Sequence, residues 1–367
     1  MRVILLFSTI LLMLMLFLLS GSAWACTSYT TKTTDGLVFY TRTMEFESTE
    51  VLNHMRVVPV GSKFQGSLPD GTFNGMKWVN KHGYTGVMFN PEMPMVIDGV
   101  NDAGLAAGAL LFPGYGVYQE FLKSDAEETI AHWDVIDWIL GNFATVAEVR
   151  KNIGFARVTL GNKIHSGNID LPLHYVVHDK AGNSLVLEYS DGHLHVFDNP
   201  YGVFTNSPTF DWMLTYLKNF PTITPNNTKS IVSGSGFGEG TGMVGLPGDF
   251  TPPSRFVRIV ALTQSALPTI GADAGLNLAM TIIDNVQIPV GTVRDVDTNV
   301  TAYDQTTWTA VADTSRLRYY YRTYNNRNWR YVDLKQALIG LKAPTSFPLN
   351  TPADYSDVTS KMLAGGK

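Results

Sequence analysis

The sequence holds a single cysteine, Cys26, among 367 residues. One thiol forms no internal disulfide, no zinc ribbon and no iron–sulfur site. Charge is scarce too: 16% of the residues are Asp, Glu, Lys or Arg, where soluble domains ordinarily carry about 25%. With 45% hydrophobic and 11% aromatic residues, the chain is no solvating polymer and can bury a large core. The net charge of −5 lacks the basic footprint of a nucleic-acid binder, so no nucleic-acid partner is expected. A Gly-Lys-Ser/Thr phosphate loop is missing, as is a G-x-S-x-G nucleophile elbow. Gly240-Thr-Gly242-Met-Val-Gly245 spells G-x-G-x-x-G, but no strand precedes it and Leu246-Pro247-Gly248 follows where a helix should open. His174 and His178, and His193 and His195, form pairs on predicted strands. Four residues along a strand span about 13 Å, too far for joint ligation of one ion. No carboxylate or cysteine stands with them in ligand spacing, so neither metal nor cofactor is expected.

Long apolar runs are missing as well, except at the N-terminus. Ile4 to Leu19 is apolar apart from Ser8 and Thr9, and Ala23-Trp24-Ala25 ends the segment in an A-x-A cleavage pattern. The run is shorter than the ~20 residues of a spanning helix, and no basic stop-transfer cluster follows it. Residues 1–25 therefore read as a signal peptide and 26–367 as one mature domain. The expected product is exported, periplasmic or secreted, and keeps no stable membrane anchor. A lipoprotein with Cys26 acylated is the rival, but Ala23 and Trp24 depart from the Leu and small residue such signals prefer.

Past Cys26 the pattern predicts strands first. Cys26–Phe46 is rich in β-branched and aromatic residues around an Asp35-Gly36 turn. Val51–Val60 and Gly75–Phe89 read as further strands, and Met95–Phe112 as a hairpin turning at Asn101-Asp102-Ala103-Gly104. Trp133, Ile136, Ile139, Leu140 and Phe143 recur at helical spacing, and Thr145-Val-Ala-Glu148 matches a capping box. Strands return at His174–His178, Ser184–Tyr189 and His193–Phe197. Phe210–Phe220, Ser254–Leu267 and Ala274–Val286 read as helices, with a long Gly- and Pro-rich loop over Pro221–Pro253. Thr307–Asp313, Arg316–Thr323 and Asn328–Leu334 are the last predicted strands. The order lacks regular β-α-β alternation, which favours an α+β fold of two antiparallel sheets with segregated helices.

In an oxidising compartment a lone thiol is either inert or kept for its reactivity. Cleavage after Ala25 would make Cys26 the first residue, carrying a nucleophile and, in its α-amine, a base of pKa about 7.7–8.0. Such a residue can run acyl transfer without a histidine. It needs donors for the oxyanion, a cation to favour thiolate and a carboxylate to hold the ammonium. Arg42 and Glu45, on the strand returning beside Cys26, are the local candidates. Their spacing of three puts them on opposite faces of an ideal strand, so both would reach the site only if the strand ends or bends between them.

Five blocks occur in order: Ala25-Cys26-Thr27; Arg42-Thr-Met-Glu45; Gly104-Leu-Ala-Ala-Gly108 with Phe112-Pro113; Thr205-Asn206-Ser-Pro-Thr-Phe-Asp-Trp212; and Gly240 through Gly-Leu-Pro-Gly-Asp-Phe-Thr-Pro-Pro-Ser to Arg255. In these the chain resembles the choloylglycine hydrolase family, which contains bile salt hydrolases and penicillin V acylases. The resemblance implies an N-terminal-nucleophile hydrolase of four-layer αββα fold, acting on a linear amide and assembling as a homotetramer. It implies Cys26 as nucleophile and base, Arg42 beside the sulfur, Asn206 and the Leu111 backbone N–H as oxyanion hole, and Arg255 as the second arginine. Glu45 stands where the family usually has Asp, keeping the charge and adding a methylene. Leu111 stands where bile salt hydrolases have Asn and many penicillin V acylases Tyr. An apolar side chain in the substrate pocket there favours an apolar acyl portion. The expected activity is penicillin V acylase-like or acyl-homoserine lactone acylase-like hydrolysis of a small-molecule amide, releasing a bulky apolar acyl group from a small polar amine. Conjugated bile salt hydrolysis is the alternative, and an exported binding protein without chemistry is a further one.

Overall fold

Strand-forming residues and tight turns divide the chain. The computed structural model describes residues 25–46, 53–90, 93–162, 171–229, 239–295 and 302–364. The expected signal peptide up to residue 24, the start of the strand expected from Val51 and the middle of the Pro221–Pro253 loop lie outside these. In chain order, β1 (Cys26–Lys32) and β2 (Val38–Phe46) form the first hairpin. There follow β3 (His54–Val58), β4 (Lys63–Gln65), β5 (Lys77–Val79), β6 (Tyr84–Asn90), β7 (Met93–Asn101) and β8 (Ala106–Leu111). Next come β9 (Thr129–Ala131), helices α1 (Val135–Asn142) and α2 (Val146–Asn152), and β10 (Arg157–Thr159). A meander of β11 (Leu173–His178), β12 (Ser184–Ser190) and β13 (His193–Asp198) leads to α3 (Phe210–Leu217), α4 (Pro252–Ser265) and α5 (Ala272–Ile283). The chain finishes with β14 (Val293–Asp295), β15 (Ala302–Asp313), β16 (Arg318–Thr323), β17 (Arg330–Asp333), α6 (Leu334–Ala337), β18 (Thr345–Pro348) and α7 (Thr359–Ala364).

The long strands build two antiparallel sheets. Sheet one runs β1-β2-β15-β16-β17, with β14 beside β15; sheet two runs β13-β12-β11-β8-β7-β6-β3-β18. Helices α4 and α5 cover sheet one, whereas α1 and α2 pack on sheet two. The layers are therefore helix, sheet, sheet, helix, an α+β architecture.

Side-chain alternation along β2 shows how the layers share the core. Tyr40, Met44 and Phe46 join the main buried cluster with Val96 and Ile97 of sheet two. Phe39, on the opposite face, packs with Leu276 and Ala279 of α5. Close approach of α5 depends on Gly275, where a Cβ would come 2.4 Å from the Phe39 ring. The β7–β8 turn forms at the expected Asn101-Asp102-Ala103-Gly104: Asn101 Oδ1 accepts from the N–H groups of Ala103 and Leu105. Thr145 caps α2 by accepting from the Glu148 N–H, as the capping box predicts. No helix among the described residues is long and apolar enough to cross a membrane.

Candidate active site

Cys26 opens β1 opposite Met44 of β2, so its side chain enters the space between the two sheets. Residue Arg42 lies two positions back along the same face of β2. Its Nη2 is 3.7 Å from Cys26 Sγ and 3.6 Å from the Met44 sulfur. The rest of the guanidinium is pinned: Nη1 donates to Ile97 O at 2.5 Å and lies 3.4 Å from Asp98 Oδ2, and Nε donates to Thr43 O. Trp308 lies under it, 5.3 Å from ring centroid to guanidinium carbon. Asp98 is fully buried on β7 and also accepts from the hydroxyls of Tyr40 and Tyr319. It thus joins the two sheets around one arginine.

The outer edge of β1 carries the rest of the site. Ser28 and Phe204 exchange backbone hydrogen bonds of 2.8 Å, clamping the approach to Asn206 against this edge. Asn206 Oδ1 then accepts from the Cys26 N–H at 2.6 Å, and its Nδ2 donates to Leu111 O at 2.9 Å. Leu111 and Leu173 are paired across β8 and β11, but the Leu173 N–H goes to the Tyr118 hydroxyl. Leu111 therefore turns its N–H and C=O to the side of Asn206, away from β11. From α4, Arg255 donates to Cys26 O, to Thr27 Oγ1 at 2.5 Å and to Asn206 Oδ1 at 2.9 Å. Its Nε is taken by Phe250 O.

Arg42, Asn206 and Arg255 are thus gathered at Cys26, and Glu45 is set apart. Strand β2 runs on past both residues, and the bulge at this point lies in β15 between Thr306 and Trp308, so Arg42 and Glu45 stay on opposite faces of β2. Glu45 occupies the helix-side face, where its carboxylate accepts from Thr43 Oγ1 at 3.0 Å and Thr306 Oγ1 at 2.7 Å. Its backbone N–H donates to Ala25 O. Its influence on Cys26 is through space.

Burial governs the protonation of these groups. It pushes the Cys26 thiol up, opposed chiefly by the Arg42 charge. Burial likewise raises Glu45 to about 7, against the pull of Arg255 and of the Thr306 and Thr43 hydroxyls. Asp98 is raised by burial and held back by Arg42. The Cys26 sulfur faces a narrow apolar pocket of about 20 Å³, walled by Met44, Phe89, Ile97, Leu111 and Leu171.

The histidines serve the sheets. Nδ1 of His174 lies 3.1 Å from Glu188 Oε1 and its Nε2 2.9 Å from Thr205 O. The His178 ring lies tilted against that of Tyr40, and burial lowers its pKa to about 3. No cluster of three or more His, Cys, Asp or Glu side chains suited to a metal occurs among the described residues. Sequence reasoning missed Asp98, although a lone carboxylate in Met-Val-Ile-Asp-Gly-Val (residues 95–100) marks a buried charge that needs a partner. The hydroxyls of Thr43 and Thr306 around Glu45 had no sequence signal.

The chain has relatives among known proteins. The chain is 31% identical over 322 residues to a bile salt hydrolase/transferase of Clostridium perfringens, covering 85% of this chain and 93% of the relative. It is 29% identical to a penicillin V acylase of Pectobacterium atrosepticum, covering 79% and 76%. A crystal structure of a variant of the conjugated bile acid hydrolase from Clostridium perfringens superposes with a TM-score of 0.78 at 28% identity, covering 91% of this chain and all of that one. The penicillin V acylase from Agrobacterium tumefaciens shares the fold, with a TM-score of 0.69 at 24% identity. Residues 26–348 match the linear amide C–N hydrolases, and the chain belongs to the choloylglycine hydrolase family.

Proposed function

We propose that the protein is an exported cysteine amidohydrolase that becomes active when cleavage after Ala25 turns the Cys26 nitrogen into an amine. The observation that carries this reading is the pair of contacts at Cys26: its nitrogen on Asn206 Oδ1 at 2.6 Å and its Sγ at 3.7 Å from Arg42. The sulfur attacks the amide carbonyl carbon and its proton passes to the α-amine. Asn206 Nδ2 and the Leu111 N–H, which face the same side, donate to the tetrahedral oxyanion. The ammonium returns the proton to the leaving nitrogen, and the C–N bond breaks. Water, activated by the same amine, then hydrolyses the thioester. Arg42 offsets the burial that disfavours thiolate, and Arg255 fixes the Cys26 carbonyl and Asn206 together. Glu45 acts through space, balancing the charge of Arg255.

The pocket beside Sγ is apolar, and its two methionines, Met44 and Met95, are adaptable walls. The apolar lining supports an apolar acyl group, as in phenoxyacetyl amides or long-chain acyl-homoserine lactones, with Met44 and Met95 moving to widen a space of about 20 Å³. Conjugated bile salts are the second reading, favoured by the named activity of the Clostridium relative. Periplasmic or extracellular residence and a homotetrameric assembly complete the proposal.

Cys26→Ser tests the chemistry. Amide hydrolysis should fall by about 10³-fold or more while circular dichroism and thermal unfolding stay those of the parent. Undiminished hydrolysis would remove Cys26 as the nucleophile.

A further inference from the structure

A histidine–glutamate pair lies behind the oxyanion donors. His174 of β11 and Glu188 of β12 are both buried, with His174 Nδ1 3.1 Å from Glu188 Oε1. The imidazole sits against two aromatic rings, Phe112 at 4.3 Å and Phe204 at 4.1 Å between ring centroids. Phe112 directly follows Leu111, and Phe204 precedes Thr205-Asn206. One ring therefore touches both chain segments that supply the proposed oxyanion hole. It is also bonded to one of them. Nε2 lies 2.9 Å from Thr205 O, the carbonyl of the peptide group that carries the Asn206 nitrogen.

The partners fix the protons. A backbone carbonyl can only accept, so Nε2 must carry a hydrogen to bond Thr205 O. A neutral imidazole has one N–H, which leaves Nδ1 as an acceptor facing the Glu188 carboxyl. Both contacts are made only when the pair holds two protons, one on Nε2 and one between Nδ1 and Glu188. Glu188 is anchored in its turn: both of its oxygens lie 3.1 Å from the Phe210 nitrogen and accept its N–H at the start of α3. Asn206 leaves little room for movement. Its Oδ1 accepts from the Cys26 N–H at 2.6 Å and from Arg255 at 2.9 Å, and its Nδ2 reaches Leu111 O at 2.9 Å. A misplacement of about 1 Å at such a group can cost about 10²-fold in rate.

Building on the cysteine amidohydrolase reading above, we infer that His174 and Glu188 are positioning residues for the oxyanion hole: together they hold the Thr205 carbonyl and so aim Asn206 Nδ2 at the developing charge. The role needs a donor at Thr205 O and no net charge on the pair.

The test uses the chain beginning at Cys26 and whichever of penicillin V, N-decanoyl-homoserine lactone and glycocholate it hydrolyses fastest. Glu188→Gln should keep the parental kcat, because the amide accepts from Phe210 and donates to Nδ1, leaving the Nε2 hydrogen on Thr205. In that background His174→Gln retains a donor and His174→Leu has none, and neither leaves a buried charge unpaired. Adding His174→Leu should lower kcat about tenfold or more at unchanged KM, whereas adding His174→Gln should not. Alkylation of Cys26 by iodoacetamide should keep its rate throughout, since Arg42 governs the thiolate. Equal kcat in the two double variants would overturn the role. So would kcat, KM and alkylation failing together, the mark of a general loss of packing. Histidine-selective nitrogen NMR of the parent, assigned by the signal that Glu188→Gln moves, reads the proton even where the leucine variant does not fold. A hydrogen on His174 Nε2 upholds the bond to Thr205, and a bare Nε2 overturns it. Hydrolysis that survives Cys26→Ser would overturn the cysteine chemistry and this role with it. Hydrolysis lost in Cys26→Ser beside equal kcat in the double variants would overturn the positioning role alone.

Discussion

Glu45 shows most directly how burial sets a residue's behaviour. Its carboxyl rises from 4.5 to about 7 because it is fully enclosed, and two threonine hydroxyls and Arg255 only partly compensate. A carboxyl whose pKa is raised on folding holds its proton more tightly in the native state than in the unfolded chain. The stability it contributes is complete below pH 4.5 and is lost as pH climbs to 7. In the chain that retains Ala25, unfolding free energy should therefore drop by up to about 3 kcal/mol across this window from this group. Urea titrations at pH 4.5 and 7.5 measure the drop, and Glu45→Gln should flatten it. Identical slopes in parent and variant would show that Glu45 does not titrate there. The sequence allowed Glu45 to be named but not located. Strand alternation alone placed it opposite Arg42, and the structure keeps it there. Its threonine partners come from β2 itself and from β15, some 260 positions away in the chain, a distance over which no local pattern speaks.

Elements were more legible than contacts. The hairpins at Asp35-Gly36 and Asn101–Gly104 and the helix α1 were readable because turn chemistry and periodicity are local. The pairing of β2 with β15 was not, since it closes a loop across most of the chain. The approach of β8 to β2 was equally hidden, and its glycine carries the consequence. At Gly108 a Cβ would lie 2.3 Å from the Tyr40 hydroxyl, 2.8 Å from Asp98 Oδ2 and 3.3 Å from Arg42 Nη1. Gly108→Ala must push apart the groups that aim Arg42 at the thiol. We expect a loss of about 1–3 kcal/mol in denaturant titrations, typical of overpacking. Hydrolysis should fall about tenfold or more through misplacement of the guanidinium. Gly154→Ala is the control, because nothing lies within 4 Å of its would-be Cβ. Equal effects at both sites would mean that crowding around Asp98 is irrelevant to the reaction.

At the scale of the whole molecule, the two sheets form a scaffold that is complete with Ala25 attached to Cys26. With Ala25 still attached, β1 is fully formed, Cys26 is buried, and Arg42, Asn206 and Arg255 already converge on it. Ala25 itself is buried, and its carbonyl accepts the Glu45 N–H, extending the β1–β2 ladder by one bond. The proposed cleavage after Ala25 would thus change chemistry more than architecture, because a peptide nitrogen cannot take a proton whereas an amine can. A chain made to keep Ala25 should melt within about 2 °C of the one beginning at Cys26, a shift worth at most about 1.4 kcal/mol for a domain of this size. Its hydrolysis should nonetheless fall by about 10²–10⁴-fold, the usual contribution of a positioned general base. Intact mass must show Ala25 in place while turnover and melting are measured. Full activity with Ala25 retained would exclude the α-amine as the base. A large fall in melting temperature would mean instead that release of Ala25 completes the fold, and the loss of activity would then follow from packing rather than from the missing proton acceptor.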